Sequence, residues 1–154
     1  MLDRPTIIQT TARTTAVIRL KVPRSEIQRV MGPAIQEVIA AVVEQGAGPA
    51  GPVYSHHFDV TPETFDFEVG VPVHKAIAPV GRVISSDIPV VHAARTIYRG
   101  SYEGLGAAWG EFDAWIRANG HTTAPGIFET YLKGPESGQD SPLWETELIH
   151  PIAN

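Results

Sequence analysis

The chain predicts an α+β fold: a single domain of two similar halves, each a strand, a helix and a hairpin, with the helices packed on a largely antiparallel sheet. Three observations carry this. Glu68-Val69-Gly70-Val71-Pro72-Val73 has a counterpart in Glu147-Leu148-Ile149-His150-Pro151-Ile152, each with a glutamate four residues ahead of a proline. Upstream of each ending lies a shorter run and a polar turn. These are Gly51-Pro52-Val53-Tyr54-Ser55-His56 with Thr61-Pro62-Glu63, and Gly126-Ile127-Phe128-Glu129-Thr130-Tyr131 with a longer turn from Gly134 to Pro142. Both pairs read as hairpins. Finally, each hairpin follows an amphipathic helical pattern that stops at a glycine, Gly46 or Gly120.

The elements follow in order. Ile7 to Thr11 and Thr15 to Val22 are rich in β-branched residues, and in the second run Ala16, Ile18 and Leu20 share one strand face. Pro23 ends that strand. Ser25 with Gln28 has capping-box spacing ahead of Ile27, Val30, Met31, Ala34, Ile35, Val38, Ile39 and Val42, which predicts one helix. Gly32-Pro33 falls inside it and predicts a kink or a broken first turn. Ala76 to Ser86 links the halves, with a short extended piece near Arg82 to Ile84, and Ile88 to Arg99 supplies the strand that opens the second half. The second helix runs from about Tyr102 to Asn119, with Leu105, Ala108, Trp109, Phe112 and Ile116 on one stripe. Gly104, Gly106 and Gly110 sit inside it, each costing about 1 kcal/mol relative to Ala unless a close approach by backbone or ligand compensates. The halves span about 5–75 and 80–154.

Composition sets the outer limits. The 154 residues suffice for one domain that buries about two thirds of its unfolded surface. With no cysteine, disulfides, cysteine-ligated zinc and thiol nucleophiles are excluded. No apolar stretch approaches the roughly 18 residues that span a bilayer, and the N-terminus lacks the layout of a signal peptide, so a cytoplasmic protein with no membrane partner is expected. The net charge of -5, with twelve scattered Lys and Arg, argues against direct nucleic-acid binding. Cationic or neutral small molecules fit better as partners.

Three glutamates lie on predicted strands, where glutamate is disfavoured: Glu68, Glu129 and Glu147. Alternation places Glu129 on a face with Ile127 and Tyr131, and Glu147 with Glu145 and Ile149. One reading is a solvated sheet face. The other is a partly buried carboxylate lined by aromatics, which draws cations while ring faces hold flat apolar bodies. Tyr102, Trp109, Phe128, Tyr131 and Trp144 fall in the second half at suitable places, although the Trp109 stripe also suits plain core. Such a carboxylate serves as a general base or acid if desolvation moves it toward neutrality. A cleft where the halves meet is the expected location.

Other constellations fall away. His56 and His57 are adjacent on a strand and point to opposite faces, and His74, His92, His121 and His150 have no ligand spacing, so no metal site is expected. Gly104-Leu105-Gly106-Ala107-Ala108-Trp109-Gly110 lies inside a helix and lacks a dinucleotide fingerprint's context. No cofactor is expected.

In the order and spacing of four segments the chain resembles the GyrI-like small-molecule-binding family, also known as the AraC-type effector-binding domain or the drug-binding half of multidrug-responsive regulators. The segments are Phe67 to Val73, Gly100-Ser101-Tyr102-Glu103-Gly104-Leu105 with Trp109 and Trp115, Phe128-Glu129-Thr130-Tyr131-Leu132, and Trp144-Glu145-Thr146-Glu147-Leu148. The resemblance covers nearly the whole chain. It implies two strand-helix-strand-strand (SHS2) units and a cleft where an acidic residue and aromatics meet lipophilic cations. The family's pocket glutamate maps onto Glu147 or Glu129; the aromatic surroundings turn the choice toward Glu147, with Glu68 as its echo. Tyr98 stands where relatives often carry histidine, and Phe128 where many carry other residues. The first strand begins within about seven residues of Met1, and no DNA-binding module is expected.

Three functions compete. The first is stand-alone binding of lipophilic, cationic or planar small molecules through Glu147, Glu129, Tyr131, Trp109, Tyr102, Phe128, Trp144 and Glu68. The second is hydrolysis of cyclopropanoid-type electrophiles, with Glu147 or Glu129 directing water. The third is a gyrase-modulator-like protein interaction, favoured if the acidic face is exposed.

Overall fold

The structure is a computed structural model and describes residues 2–134 and 143–153. It contains β1 (Thr6–Gln9), β2 (Arg13–Pro23), α1 (Ile27–Glu44), β3 (Tyr54–Val60), β4 (Thr64–Pro72), β5 (Ile84–Ile88), β6 (His92–Arg99), α2 (Leu105–Ala118), β7 (Ile127–Lys133) and β8 (Glu145–Pro151). Beyond Gly134, the long turn expected before Leu143 lies outside the described residues. No helix among the described residues is long and apolar enough to cross a membrane.

The chain divides into two compact units, one of Thr11–Val90 and one of Met1–Thr10 with Val91–Asn154. The first has the strand order β3-β4-β2-β5 and the second β1-β6-β8-β7. Within each unit every strand pairing is antiparallel. The duplicated strand-helix-strand-strand order is therefore β2-α1-β3-β4 and β6-α2-β7-β8. The edges depart from the sequence halves at two places. Strand β1 pairs with β6 of the later half, because β2 already has β4 and β5 on its two sides. The extended piece expected near Arg82 to Ile84 lies later, at Ile84–Ile88, and is that β5, while the strand expected from Ile88 begins at His92.

Both helices close in the same way. At the end of α1 the Gly46 and Ala47 amides donate to the carbonyls of Val43 and Val42; at the end of α2 the Gly120 and His121 amides donate to Arg117 and Ile116. Gly46 and Gly120 both take positive φ, 63° and 82°, completing a Schellman motif that satisfies the last carbonyls. The starts differ from the expected capping box. A 3-10 turn over Arg24–Glu26 leads into α1, Ser25 lies inside it, and no side chain caps the helix. Helix α1 runs continuously through Pro33.

In the Thr11–Val90 unit, Ala34, Val38, Ala41 and Val42 of α1 pack on Ala16, Ile18 and Leu20 of β2 and Phe67, Val69 and Val71 of β4. In the other unit, Ala108, Phe112 and Ile116 of α2 pack on Ala94, Tyr98 and Leu148, with Leu105, Trp109 and Trp115 at the margin. Phe112 and Ile116 are fully buried, a gain of about 1.5–3 kcal/mol per side chain. This core holds α2 over one face of β6-β8-β7.

Candidate functional site

Strand register decides which side chains lie beneath α2. Thr146 of β8 stands opposite Tyr98 of β6 and Tyr131 of β7, and Leu148 stands opposite Thr96 and Glu129. Alternation therefore puts Glu129, Tyr131, Thr146, Leu148, Thr96 and Tyr98 on the helix-covered face, which Leu148 and Tyr98 identify by packing on α2. Phe128, Thr130, Glu147 and Ile149 take the opposite face.

Glu129 is the centre of the covered face. The Trp109 indole donates Nε1–H to Glu129 Oε2 at 2.7 Å, and the Tyr131 hydroxyl donates to Oε1 at 2.8 Å. Loss of water around the carboxyl raises its pKa above the ordinary 4.5, and these two bonds pull the other way. Ring contacts continue outward. Tyr102 meets Tyr131 edge-on at 5.9 Å between centroids and Trp144 at 5.0 Å, while Trp109 lies 5.8 Å from Phe112. Acid and aromatic residues thus come together, combining an attraction for cations with apolar ring surface.

Glu147 is elsewhere. On the opposite face it accepts a hydrogen bond from Arg95 Nε at 2.6 Å, and a guanidinium satisfies its charge. Its neighbour Glu145 is paired with Arg99 and Lys133 on the same face. Phe128 shares that face and is buried. Glu68 belongs to the Thr11–Val90 unit, where it is buried and accepts a hydrogen bond from Ser86 Oγ at 2.9 Å. Of the eight residues expected to bind ligand, the structure groups Glu129, Tyr131, Trp109, Tyr102 and Trp144.

The same register locates the counterpart of this site in the Thr11–Val90 unit. Ser55 opposite Val69 and His57 opposite Phe67 occupy the strand positions of Glu129 opposite Leu148 and Tyr131 opposite Thr146. Ser55 Oγ and His57 Nε2 are 3.1 Å apart, and the imidazole stacks on Phe67. The acid–phenol pair of one unit is thus a hydroxyl–imidazole pair in the other. Burial, and then the charge of Arg24, lowers the His57 pKa to about 4, so it is neutral at neutral pH.

Sequence reasoning gave no site role to three residues. His150, set aside for lack of metal spacing, alternates with Leu148 and Thr146 onto the covered face; its Nδ1–H donates to Asp113 Oδ1 of α2 at 2.8 Å. Thr146 is fully buried, and its hydroxyl has no hydrogen-bond partner among the described residues. Tyr98 donates its hydroxyl to the Ser101 carbonyl at 2.8 Å, fixing the turn into α2. Alternation along β8 held the signal for His150 and Thr146.

Comparison with known proteins places the chain in a family. No curated protein matches the sequence. Among solved structures, the chain is similar to the C-terminal domain of EcmrR, at a TM-score of 0.83 and 22% identity over 98% of both chains. It spans 57% of the EcmrR chain in a cryo-EM structure of an EcmrR–DNA complex. It is also similar to SAV2435 bound to tetraphenylphosphonium, at a TM-score of 0.69 and 13% identity over 99% of this chain and 95% of that one. A hydrolase encoded by lin2189 from Listeria innocua follows at 0.65 and 11%, over 97% of this chain and 92% of that one. At these identities the likeness shows the shared fold. The model of the GyrI-like small molecule binding domain matches residues 4–153, nearly the whole chain, and the chain belongs to that family.

Proposed function

We propose that the chain binds lipophilic cations, or planar neutral molecules of similar shape, on the α2-covered face of the β6-β8-β7 sheet, with Glu129 as the charge partner. The observation that carries this reading is the Glu129 carboxyl itself: partly buried and held by Trp109 and Tyr131, with no cationic side chain within ion-pair distance among the described residues. A desolvated carboxylate without a counter-charge gains most from a ligand that brings one, because the attraction is little screened in low dielectric. Tyr102, Tyr131, Trp109 and Trp144 supply ring surface for the apolar body. The similarity to a protein bound to tetraphenylphosphonium supports the ligand class.

The test is fluorescence titration with tetraphenylphosphonium. Glu129→Gln keeps a carbonyl acceptor for the Trp109 N–H and offers an amide donor to the Tyr131 hydroxyl oxygen but removes the charge, and should weaken affinity about tenfold or more, or about 1.4 kcal/mol. Glu147→Gln, whose charge is neutralised by Arg95, should leave affinity within about twofold. Equal affinities in wild type and Glu129→Gln would sink the electrostatic role. A second reading is hydrolysis of a cyclopropanoid electrophile, favoured by a carboxyl held toward neutrality, where it can pass a proton. Mass spectrometry of a cyclopropanoid compound recovered from the same protein separates the two: a mass gain of one water places hydrolysis first, and unchanged compound leaves binding.

A further inference from the structure

We propose that the Asp113–His150 pair is a positioning device for the ligand site, holding the Trp109 indole at the angle from which its N–H reaches Glu129. The proposal rests on the binding role given to Glu129 and concerns how that site keeps its shape.

Asp113 lies four residues after Trp109 on α2, so both side chains project from one side of the helix. Asp113 is bound to His150 of β8 at 2.8 Å, with 12% of the His150 side chain and 28% of the Asp113 side chain exposed. Shielding of this order makes the bond stronger than that of an open surface pair. The His150 ring, so fixed, meets the Trp109 ring at 76° and 5.9 Å, an edge-to-face contact that specifies a ring plane. Phe112 borders the same indole at a tilt of 44°. With its plane set by these rings, the indole places Nε1–H 2.7 Å from Glu129 Oε2. The chain of contacts runs Asp113, His150, Trp109, Glu129 and crosses from helix to sheet twice. A pair that served only to fasten α2 to β8 would affect stability and leave Glu129 alone.

The titration of Glu129 in the ligand-free chain, followed through its carboxyl carbon by NMR, separates these roles. Trp109→Phe removes the donor and should raise the Glu129 midpoint. His150→Ala and Asp113→Ala should raise it in the same direction and add nothing in the Trp109→Phe background, whereas Asp113→Asn, which keeps an acceptor for His150, should stay near wild type. A midpoint unmoved in both alanine variants, with thermal stability lowered, would overturn the proposal. Should the alanine variants fail to fold, His150→Gln, which keeps a side-chain N–H donor but loses the ring contact, decides by the same midpoint. Tetraphenylphosphonium titration provides the second readout: Asp113→Ala should weaken binding about fivefold, with no further loss when Glu129→Gln is already present. If Glu129→Gln weakens binding and neither alanine variant does, positioning fails while the binding reading stands. If Glu129→Gln binds as wild type, the binding reading fails and the NMR midpoint alone decides positioning.

Discussion

Glu129 is subject to opposed influences, and their balance sets when it can attract a cation. Burial raises its pKa, and the bonds from Trp109 and Tyr131 lower it, leaving it above the ordinary carboxylate value. Cations need the ionised form. Tetraphenylphosphonium affinity should therefore rise with pH through the raised Glu129 midpoint and fall below it, a window above that of an exposed glutamate. Calorimetric titration across this range should show the fall in wild type and a flat profile in Glu129→Gln; matching profiles would assign the dependence to another group. The stability sign is opposite. A raised carboxyl favours folding most when protonated and loses that contribution as pH rises, so Glu129→Gln should be at least as stable as wild type at neutral pH. The sequence named Glu129, Tyr131 and Trp109 together but turned the choice of key carboxylate toward Glu147. Alternation shows that neighbours on a strand face opposite ways, while only the packing of Leu148 and Tyr98 on α2 tells which face is covered.

The three glycines expected inside the second helix fall into two kinds: Gly104 ends a 3-10 turn over Tyr102–Gly104 just before α2, and Gly106 and Gly110 lie within α2. A Cβ on Gly104 would lie 2.1 Å from the Tyr98 hydroxyl, which is itself buried and bound to the Ser101 carbonyl. At Gly106 and Gly110 a Cβ would meet nothing within 4 Å. Gly104 therefore permits a close approach, and the other two loosen the helix without a contact that requires it. Gly110→Ala should stabilise the chain by about 0.5–1 kcal/mol, by reducing the freedom of the unfolded backbone. Gly104→Ala should destabilise it, since the Tyr98 hydroxyl must leave its carbonyl. Urea unfolding of the two variants checks both signs, and a destabilised Gly110→Ala would mean that Gly110 meets something when the helix moves. Composition alone could not rank these residues, because helix propensity assigns all three glycines the same penalty.

At the scale of the whole chain, the duplication was legible because turn glycines, strand alternation and helix stripes are local properties that recur at the same places in both halves. Edge exchange was not legible: a four-residue strand such as Thr6–Gln9 carries no mark of whether it pairs with β6 or with a nearer neighbour. Divergence between the units is also a matter of contacts. Gly70 of β4 admits the β2 backbone, where a Cβ would lie 1.9 Å from the Ala16 carbonyl oxygen, whereas its counterpart on β8 is Ile149. The largest chemical divergence is His57 in place of Tyr131, and it has a consequence for acid stability. His57 is buried, its Nδ1 has no hydrogen-bond partner among the described residues, and its pKa falls from 6.5 to about 4. Between those values the unfolded chain takes up a proton that the folded chain refuses. The stability from a neutral His57 is therefore present above about pH 6.5 and is lost as pH falls toward about 4, at up to about 1.4 kcal/mol per pH unit, levelling off below. His56, also lowered to about 4 mainly by burial, steepens the same window. His57→Phe retains an aromatic ring against Phe67 while removing the proton site. Urea midpoints followed from neutral pH to about pH 4 should show a decline in wild type that is shallower by about one proton in the variant. Parallel declines would mean that His57 takes up its proton in the folded chain as readily as in the unfolded one.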